Sequence, residues 1–213
     1  MAPGSITFAD AWRLAQAMLD RARTRHARSV LGITGPPGAG KSTLADQLAA
    51  ALGPDVAVVP MDGFHLADVT LEAHGSRDRK GAVDTFDGWG YLHLLRRLRD
   101  ETDHSVFAPG FERDLEQPIA AAIEVPPSAR LVITEGNYLL HPDPPWSLLS
   151  GELDEVWYCA LDDDVRRQRL VARHVRFGKE PHAATNWVER VDDPNAAQIA
   201  ARRRLAHRVV EME

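Results

Sequence analysis

A doubly wound, mainly parallel α/β sheet is the fold this 213-residue sequence predicts, on three observations. Short apolar runs of strand length alternate with stretches of helical periodicity, the pattern of successive strand–helix units. One junction, Gly35-Pro36-Pro37-Gly38-Ala39-Gly40-Lys41-Ser42, carries the full G-x-x-x-x-G-K-[ST] spacing between an apolar strand and a helix. Two carboxylates, Asp62 and Glu135, directly follow apolar runs, where open α/β sheets bind their ligands.

Each element has its own warrant. Thr7 with Asp10 three residues on marks a helix start, after which Phe8, Ala11, Trp12, Ala15, Met18, Leu19 and Ala22 share one face to about Arg25. Ser29 to Thr34 reads as the first strand, and the glycine-rich loop and its helix continue to about Leu52. Gly53-Pro54 stops that helix before a buried strand at Val56–Val59. A short helix near Leu66–His74 and another from Tyr91 to about Arg99 precede strands at Phe107–Gly110 and Ile119–Val125. Leu131–Thr134 and Glu155–Leu161 read as buried strands. Asp163–Arg176, Pro181–Val191 and Asn195–His207 read as helices, and Val209-Val210 as a closing strand. Residues 1–213 are expected to form a single domain with a substrate-binding insertion at about 63–125 and a lid at about 163–180.

Composition narrows the function classes. A chain that is 44% hydrophobic and 26% charged suits a globular domain with a proper core. A net charge of −6 argues against non-specific nucleic-acid binding, which runs on phosphate neutralisation by Lys and Arg. The single cysteine, Cys159, excludes an internal disulfide and a cysteine-cluster zinc site, and its place in Val156–Leu161 reads as a buried strand position. The N-terminus lacks a basic segment followed by an apolar one, and no apolar run approaches the ~18 residues of a membrane span. A cytoplasmic protein with no membrane partner is expected.

The glycine-rich loop is a phosphate loop by its chemistry, and the expected fold is that of a P-loop NTPase. Its glycines let backbone N–H groups turn around phosphate oxygens at the positive end of the following helix. Lys41 is placed to reach the β- and γ-phosphates, and Ser42 to ligate Mg²⁺. Gly35, Pro37, Gly38, Ala39, Gly40, Lys41, Ser42 and Thr43 are therefore the candidate nucleotide contacts, with ATP and Mg²⁺ as cofactors. Asp62 is the candidate base for an accepting hydroxyl and Glu135 the candidate carboxylate on the metal side, opposed by the possibility that each caps a turn. Arg166, Arg169, Arg173 and Arg176 fall within an arc of ~80° on one helix face. With few acidic residues at i±4, that stripe reads as a lid that clamps transferring phosphates, against the alternative of a solvated face. Arg173, mid-helix, is the candidate catalytic arginine.

Taken as an ordered set, several segments resemble the superfamily of uridine kinases, phosphoribulokinases and bacterial pantothenate kinases. They are Gly35–Ser42, Met61–His65, Arg79–Asp87, Phe107–Arg113, Glu135–Leu140 and Arg169–Val175. The resemblance spans about Ser29 to His207 and is similar in detail to bacterial kinases labelled as fructose-transport-associated or as generic nucleoside kinases. It implies an Asp base at Asp62, a Mg²⁺-side Glu at Glu135 and lid arginines at Arg166, Arg169 and Arg173. It further implies adenine-proximal positions at Asn195 and Arg202, and a homodimer. His65, Arg77, Lys80, Phe111, Arg113 and Tyr138 are the candidate acceptor contacts. The chain departs from uridine kinases where Gly81 replaces the ribose-binding Asp and where Phe111-Glu112-Arg113 stands in for a longer segment. Both departures argue against a simple nucleoside acceptor.

The expected activity is transfer of the γ-phosphoryl group of ATP to a hydroxyl of a small metabolite, either sugar, pantothenate-like or nucleoside-like. The alternative is a nucleotide-dependent switch or binding module. An Asn-Lys-x-Asp guanine signature would favour the switch, and Asn137, Asn186 and Asn195 are each followed by a residue other than Lys.

Overall fold

In the computed structural model, which describes residues 3–212, the alternating runs assemble in this order. Strand β1 (Gly4–Ile6) leads into helix α1 (Phe8–Arg25), β2 (Ser29–Thr34), α2 (Lys41–Leu52) and β3 (Val56–Pro60). A 3₁₀ turn (Met61–Phe64), α3 (Asp68–Ala73), two further 3₁₀ turns (Arg77–Arg79 and Val83–Thr85) and α4 (Gly88–Asp100) follow, then the strands β4 (Val106–Glu112) and β5 (Gln117–Val125). The chain closes through β6 (Leu131–Glu135), β7 (Glu155–Ala160), α5 (Asp163–Arg176), α6 (Pro181–Trp187), a π-helical turn (Val188–Asp192), α7 (Asp193–Ala200) and β8 (Arg208–Glu211).

Among the described residues six strands form one parallel sheet in the order β1-β8-β7-β2-β6-β3, and β4 and β5 pair separately as an antiparallel ribbon. Period-two alternation sends side chains to both faces of the large sheet. Leu31, Ile33, Leu131, Ile133, Trp157 and Cys159 pack beneath α1 and α2, while Val30, Val132, Val156, Tyr158 and Val209 pack on the opposite side with α4. Burial of each large aliphatic side chain contributes about 1.5–3 kcal/mol relative to exposure, so both covered faces stabilise the sheet. One buried cation ties the layers at their edge. Arg28 donates to the carbonyls of Leu98 (2.7 Å), Ala129 (3.0 Å) and Pro126 (3.0 Å), joining the end of α4 to the entry of β6.

Local rules account for the helix limits. Thr7 and Asp10 form the expected capping box: each side chain accepts the other's backbone N–H at 3.2 Å. Gly53 ends α2 at φ 90°, a conformation that favours glycine.

Four expectations are corrected. Phe8 and Trp12 lie on the expected helix face but remain 42% and 38% exposed, because the buried stripe of α1 runs through Ala11, Ala15, Met18 and Leu19. Pro181–Val191 is not one helix: it gives way after Trp187 to the π turn, which runs straight into α7. The last helix begins at Asp193 and stops at Ala200, short of His207. Three residues, Gly4–Ile6, form an edge strand beside β8 that the sequence reading left out. Among the described residues no helix is long and apolar enough to cross a membrane.

Candidate active site

The C-terminal ends of β2, β3 and β6 place the phosphate loop, Asp62 and Glu135 side by side. β2 pairs with β6 so that Ile33 sits opposite Glu135, and β3 pairs with β6 so that Pro60 sits opposite the same residue. Glu135 is thus the last residue of its strand, and Asp62 follows two residues after its own.

The phosphate loop needs its glycines. Gly38 has φ +80°, and a Cβ there would meet Leu170 Cγ at 2.8 Å and the Arg166 carbonyl oxygen at 3.0 Å. The loop crest therefore lies directly beneath α5, with space for a hydrogen and nothing larger. Gly40, at φ +90°, caps α2. A Cβ on Gly35 (φ +150°) would lie 2.8 Å from the Cys159 carbonyl oxygen, and the buried Ala39 N–H donates to the Pro36 carbonyl at 3.1 Å.

Lys41 lies at the first turn of α2, buried, and its Nζ donates to the Pro36 carbonyl at 3.1 Å. Burial lowers its pKa, and the charges of Glu135 and Asp62 work against that loss. The Ser42 hydroxyl donates to Glu135 Oε1 at 2.9 Å. Burial, and then the charge of Asp62, push the Glu135 carboxyl upward, while Lys41 and the Ser42 hydrogen bond pull it back. A buried carboxylate sharing a hydroxyl beside a lysine is a hard-oxygen donor pair, which fits Mg²⁺ completed by phosphates and water. Among the described residues no cluster of three or more metal-ligating His, Cys, Asp or Glu side chains exists.

Two cavities open from this point. The first, about 740 Å³, runs from Lys41 and Ser42 past Thr43 and Gln47 to Phe8 and Met212. The second, about 390 Å³, runs from Pro37 and Asp62 past His65, Lys80 and Phe111 to Trp187. Among the described residues Arg113 and Arg173 line both.

The second cavity has an aromatic wall. His65 stacks between Phe86 (centroids 4.0 Å) and Phe111 (4.8 Å). Its Nδ1 lies 2.9 Å from the Asp62 carbonyl, an acceptor, so the proton resides on Nδ1, and burial favours the neutral ring. Lys80 donates to Asp68 at 2.7 Å and to the Glu116 carbonyl, and Arg77 donates to Asp68 at 3.0 Å. Both cations line the cavity already paired with Asp68, and Arg77 pairs with Glu72 as well at 2.9 Å.

Several candidates stand elsewhere than expected. Tyr138 is buried and does not line the second cavity: its hydroxyl donates to the Gly81 carbonyl at 2.6 Å, bracing the loop. The arginine stripe is not short of acids. Arg166 is 1% exposed and donates to Asp163 (2.9 Å) and Asp193 (2.7 Å), so it anchors α5 instead of facing phosphate. Arg169 lines the first cavity and Arg173 both. Arg176 turns to Phe177, 6.0 Å from its ring. Asn195 lines the second cavity, and Arg202 lines a separate crevice beside His141; neither borders the cavity holding Lys41. Cys159 is fully buried, with its thiol pushed up to about 12 by burial, so it is no nucleophile at neutral pH.

Sequence reasoning missed the residues that fix α5 in place. Asp193 holds Arg166 and Arg167, and Asp192 accepts from the His174 ring at 2.9 Å. Phe8 and Met212 at the far end of the first cavity were missed as well, because their elements meet only in three dimensions.

A parallel sheet with a phosphate loop at its central strand, a strand-end carboxylate pair and an arginine helix over the loop defines a P-loop kinase. A family model described as "Methylmalonyl Co-A mutase-associated GTPase MeaB" matches residues 5–65, the segment from β1 through the phosphate loop to Asp62. A protein of Aspergillus versicolor named the ATP-dependent kinase-like protein notR' is 36% identical over 152 residues, 67% of this chain and 88% of the relative. A Schizosaccharomyces pombe protein, C227.14, provisionally named a uridine kinase, is 36% identical over 160 residues, 71% of this chain and 68% of the relative. A crystal structure from Silicibacter sp. TM1040, provisionally named a fructose transport system kinase, superposes with a TM-score of 0.79 at 36% identity, covering 93% of this chain and 98% of that one. The chain belongs to the uridine kinase-like superfamily of P-loop kinases.

Proposed function

We propose that this protein transfers the γ-phosphoryl group of Mg·ATP to a hydroxyl of a small metabolite. The observation that carries the reading is the meeting of two cavities, one at the phosphate loop and one at Asp62, with the arginines Arg113 and Arg173 at their junction. Such a pair of spaces suits a donor and an acceptor brought end to end, and phosphoryl transfer is largely a matter of positioning and charge.

In this reading the triphosphate occupies the first cavity. The amides of the phosphate loop and Lys41 bind its oxygens, and Arg169 approaches from α5. Ser42 and Glu135 would hold Mg²⁺, which when bound supplies charge neutralisation across the β- and γ-phosphates. Asp62 accepts the proton of the acceptor hydroxyl. Arg173 meets the charge on the moving group. The acceptor lies against Phe111 and His65, with Asn137 and Asn195 as hydrogen-bonding partners for its polar groups. The Lys80 and Arg77 pair around Asp68 leaves donors for a carboxylate or phosphate on that acceptor.

The test is ADP release from Mg·ATP across sugars, sugar phosphates, hydroxy acids, nucleosides and pantothenate-like vitamins, in the wild type and in Lys41→Ala. Turnover that depends on one metabolite class and falls at least ~100-fold in the variant is expected. Nucleotide binding with no acceptor-dependent turnover across the panel would favour a nucleotide-dependent switch.

A further inference from the structure

Two arginines line both cavities where they join, and they arrive from different elements. Arg173 projects from α5, and Arg113 from the turn between β4 and β5. Among the described residues the Arg173 guanidinium makes no hydrogen bond and no ion pair, although Asp192, Asp62 and Glu116 lie near enough to act on it electrostatically. Arg113 makes one contact, from Nη2 to Asp62 Oδ2 at 3.3 Å. Burial and the like charge of Arg113 both make the Arg173 charge costly. Like charges held close together repel, and a further anion between them offsets that repulsion. The group that crosses this junction in the proposed reaction is an anion, with its charge spread over three equatorial oxygens.

The Arg113–Asp62 contact itself is ill suited to a purely structural role. Its side chains are 42% and 28% exposed, and a pair this open and this long contributes no more than about 1 kcal/mol to stability. Arg113 sits at the tip of a two-stranded ribbon outside the main sheet. That tip is tethered to the acceptor side by Lys80, whose Nζ donates to the Glu116 carbonyl.

We propose that Arg113 is a second phosphoryl-clamping residue beside Arg173, and that it exchanges Asp62 for the planar transferring group whenever that group occupies the junction. The exchange rests on the kinase reading above. It frees Asp62 Oδ2 at the moment a base is needed. The acceptor oxygen then forms its bond to the γ-phosphorus while the bond from that phosphorus to the β–γ bridging oxygen breaks. The electron pair of the broken bond leaves with ADP, and the hydroxyl proton goes to Asp62. Before that moment Arg113 holds the base occupied.

The decisive experiment needs no acceptor. Binding of Mg·ADP is measured by calorimetry with and without aluminium fluoride, a planar mimic of the transferring phosphoryl group, in the wild type, Arg113→Gln, Arg113→Lys and Arg173→Gln. The wild type is expected to bind more tightly when the fluoride complex is present. Arg113→Gln is expected to lose ~10-fold or more of that gain with Mg·ADP affinity nearly unchanged, and Arg113→Lys to recover part of it. Retention of the full gain in Arg113→Gln overturns the proposal. So does an equal loss for Mg·ADP alone, which would mark an ordinary ground-state contact. Absence of any fluoride-dependent gain in the wild type overturns it too, while leaving nucleotide binding and the kinase reading standing. Failure of the wild type to bind Mg·ADP at all would take down both. In turnover with the acceptor found by the panel, Arg113→Gln is expected to lower kcat with little change in acceptor KM. The reverse split would return Arg113 to acceptor binding alone.

Discussion

Asp62 and Glu135 are chemically alike and sit at neighbouring strand ends, yet their surroundings divide the labour between them. Glu135 is 4% exposed, hydrogen-bonded by Ser42 and pressed by burial toward its neutral form, which an adjacent cation would reverse. Asp62 opens onto the second cavity with one side-chain partner, Arg113, as a base that must meet a substrate hydroxyl should. Asp62→Asn is therefore expected to bind Mg·ATP within a few-fold of the wild type and to lose phosphoryl transfer by ~100-fold or more. Calorimetry alongside acceptor-dependent turnover checks this, and near-normal turnover would remove Asp62 from the role. The residues that could be read from sequence were those whose chemistry is tied to a fixed local context. Lys41 and Ser42 follow from loop spacing, and Asp62 and Glu135 from their position after an apolar run. Tyr138 could not be placed, because nothing in Asn137-Tyr138-Leu139 says that its hydroxyl will meet the Gly81 carbonyl, 57 positions away in sequence.

At the scale of elements, α5 shows where helical spacing stops being informative. The i, i+3, i+7 arrangement does put Arg166, Arg169 and Arg173 on one side, but it cannot tell which turn of that side packs down. The first turn packs against Asp193 and becomes structural, while the later turns face the cavities. Asp193 is 22% exposed at its side chain and Arg166 2%, so this ion pair is largely withdrawn from water. One nitrogen of Arg166, Nη1, already lacks a partner among the described residues. Removing the acid strands the rest of a buried charge, which typically costs more than the pair itself contributes. Asp193→Ala is expected to destabilise the protein by about 3 kcal/mol in urea denaturation, with lost hydrogen-exchange protection concentrated in Asp163–Arg176. An unchanged exchange pattern in that helix would show that α5 is held by other contacts. The edge strand Gly4–Ile6 escaped sequence reading for a related reason. Three residues carry no usable periodicity, and their strand exists because the β8 edge is there to pair with.

For the whole molecule, the parallel sheet and its two covered faces were legible because strictly apolar strands buried on both sides leave a strong pattern. The binding cavities were not, since they form where loops from distant parts of the sequence converge at one end of the sheet. That convergence has a thermodynamic signature. A ligand seated across the phosphate loop, α2 and α5 binds the native state and not the unfolded chain. Mg·ATP at ~100 times its Kd should add about 2.7 kcal/mol of stability. A rise in Tm with Mg·ATP in the wild type, lost in Lys41→Ala, is the expected result. Equal rises in both proteins would place the nucleotide away from the phosphate loop.

The π turn at Val188–Asp192 is in effect a phase adjustment between two helices. An α-helix advances about 100° per residue, so one extra residue in the run swings everything beyond it by roughly that angle about the axis. Asp192 and Asp193, at the end of the turn and the start of α7, are thereby aimed at His174 and Arg166 on the same flank of α5. Shortening the run by a single residue would restore ideal winding and rotate both acids away from their partners. The orientation of the arginine helix above the phosphate loop thus depends on a helical irregularity more than ten residues beyond that helix's own end, and regular winding there would be the defect.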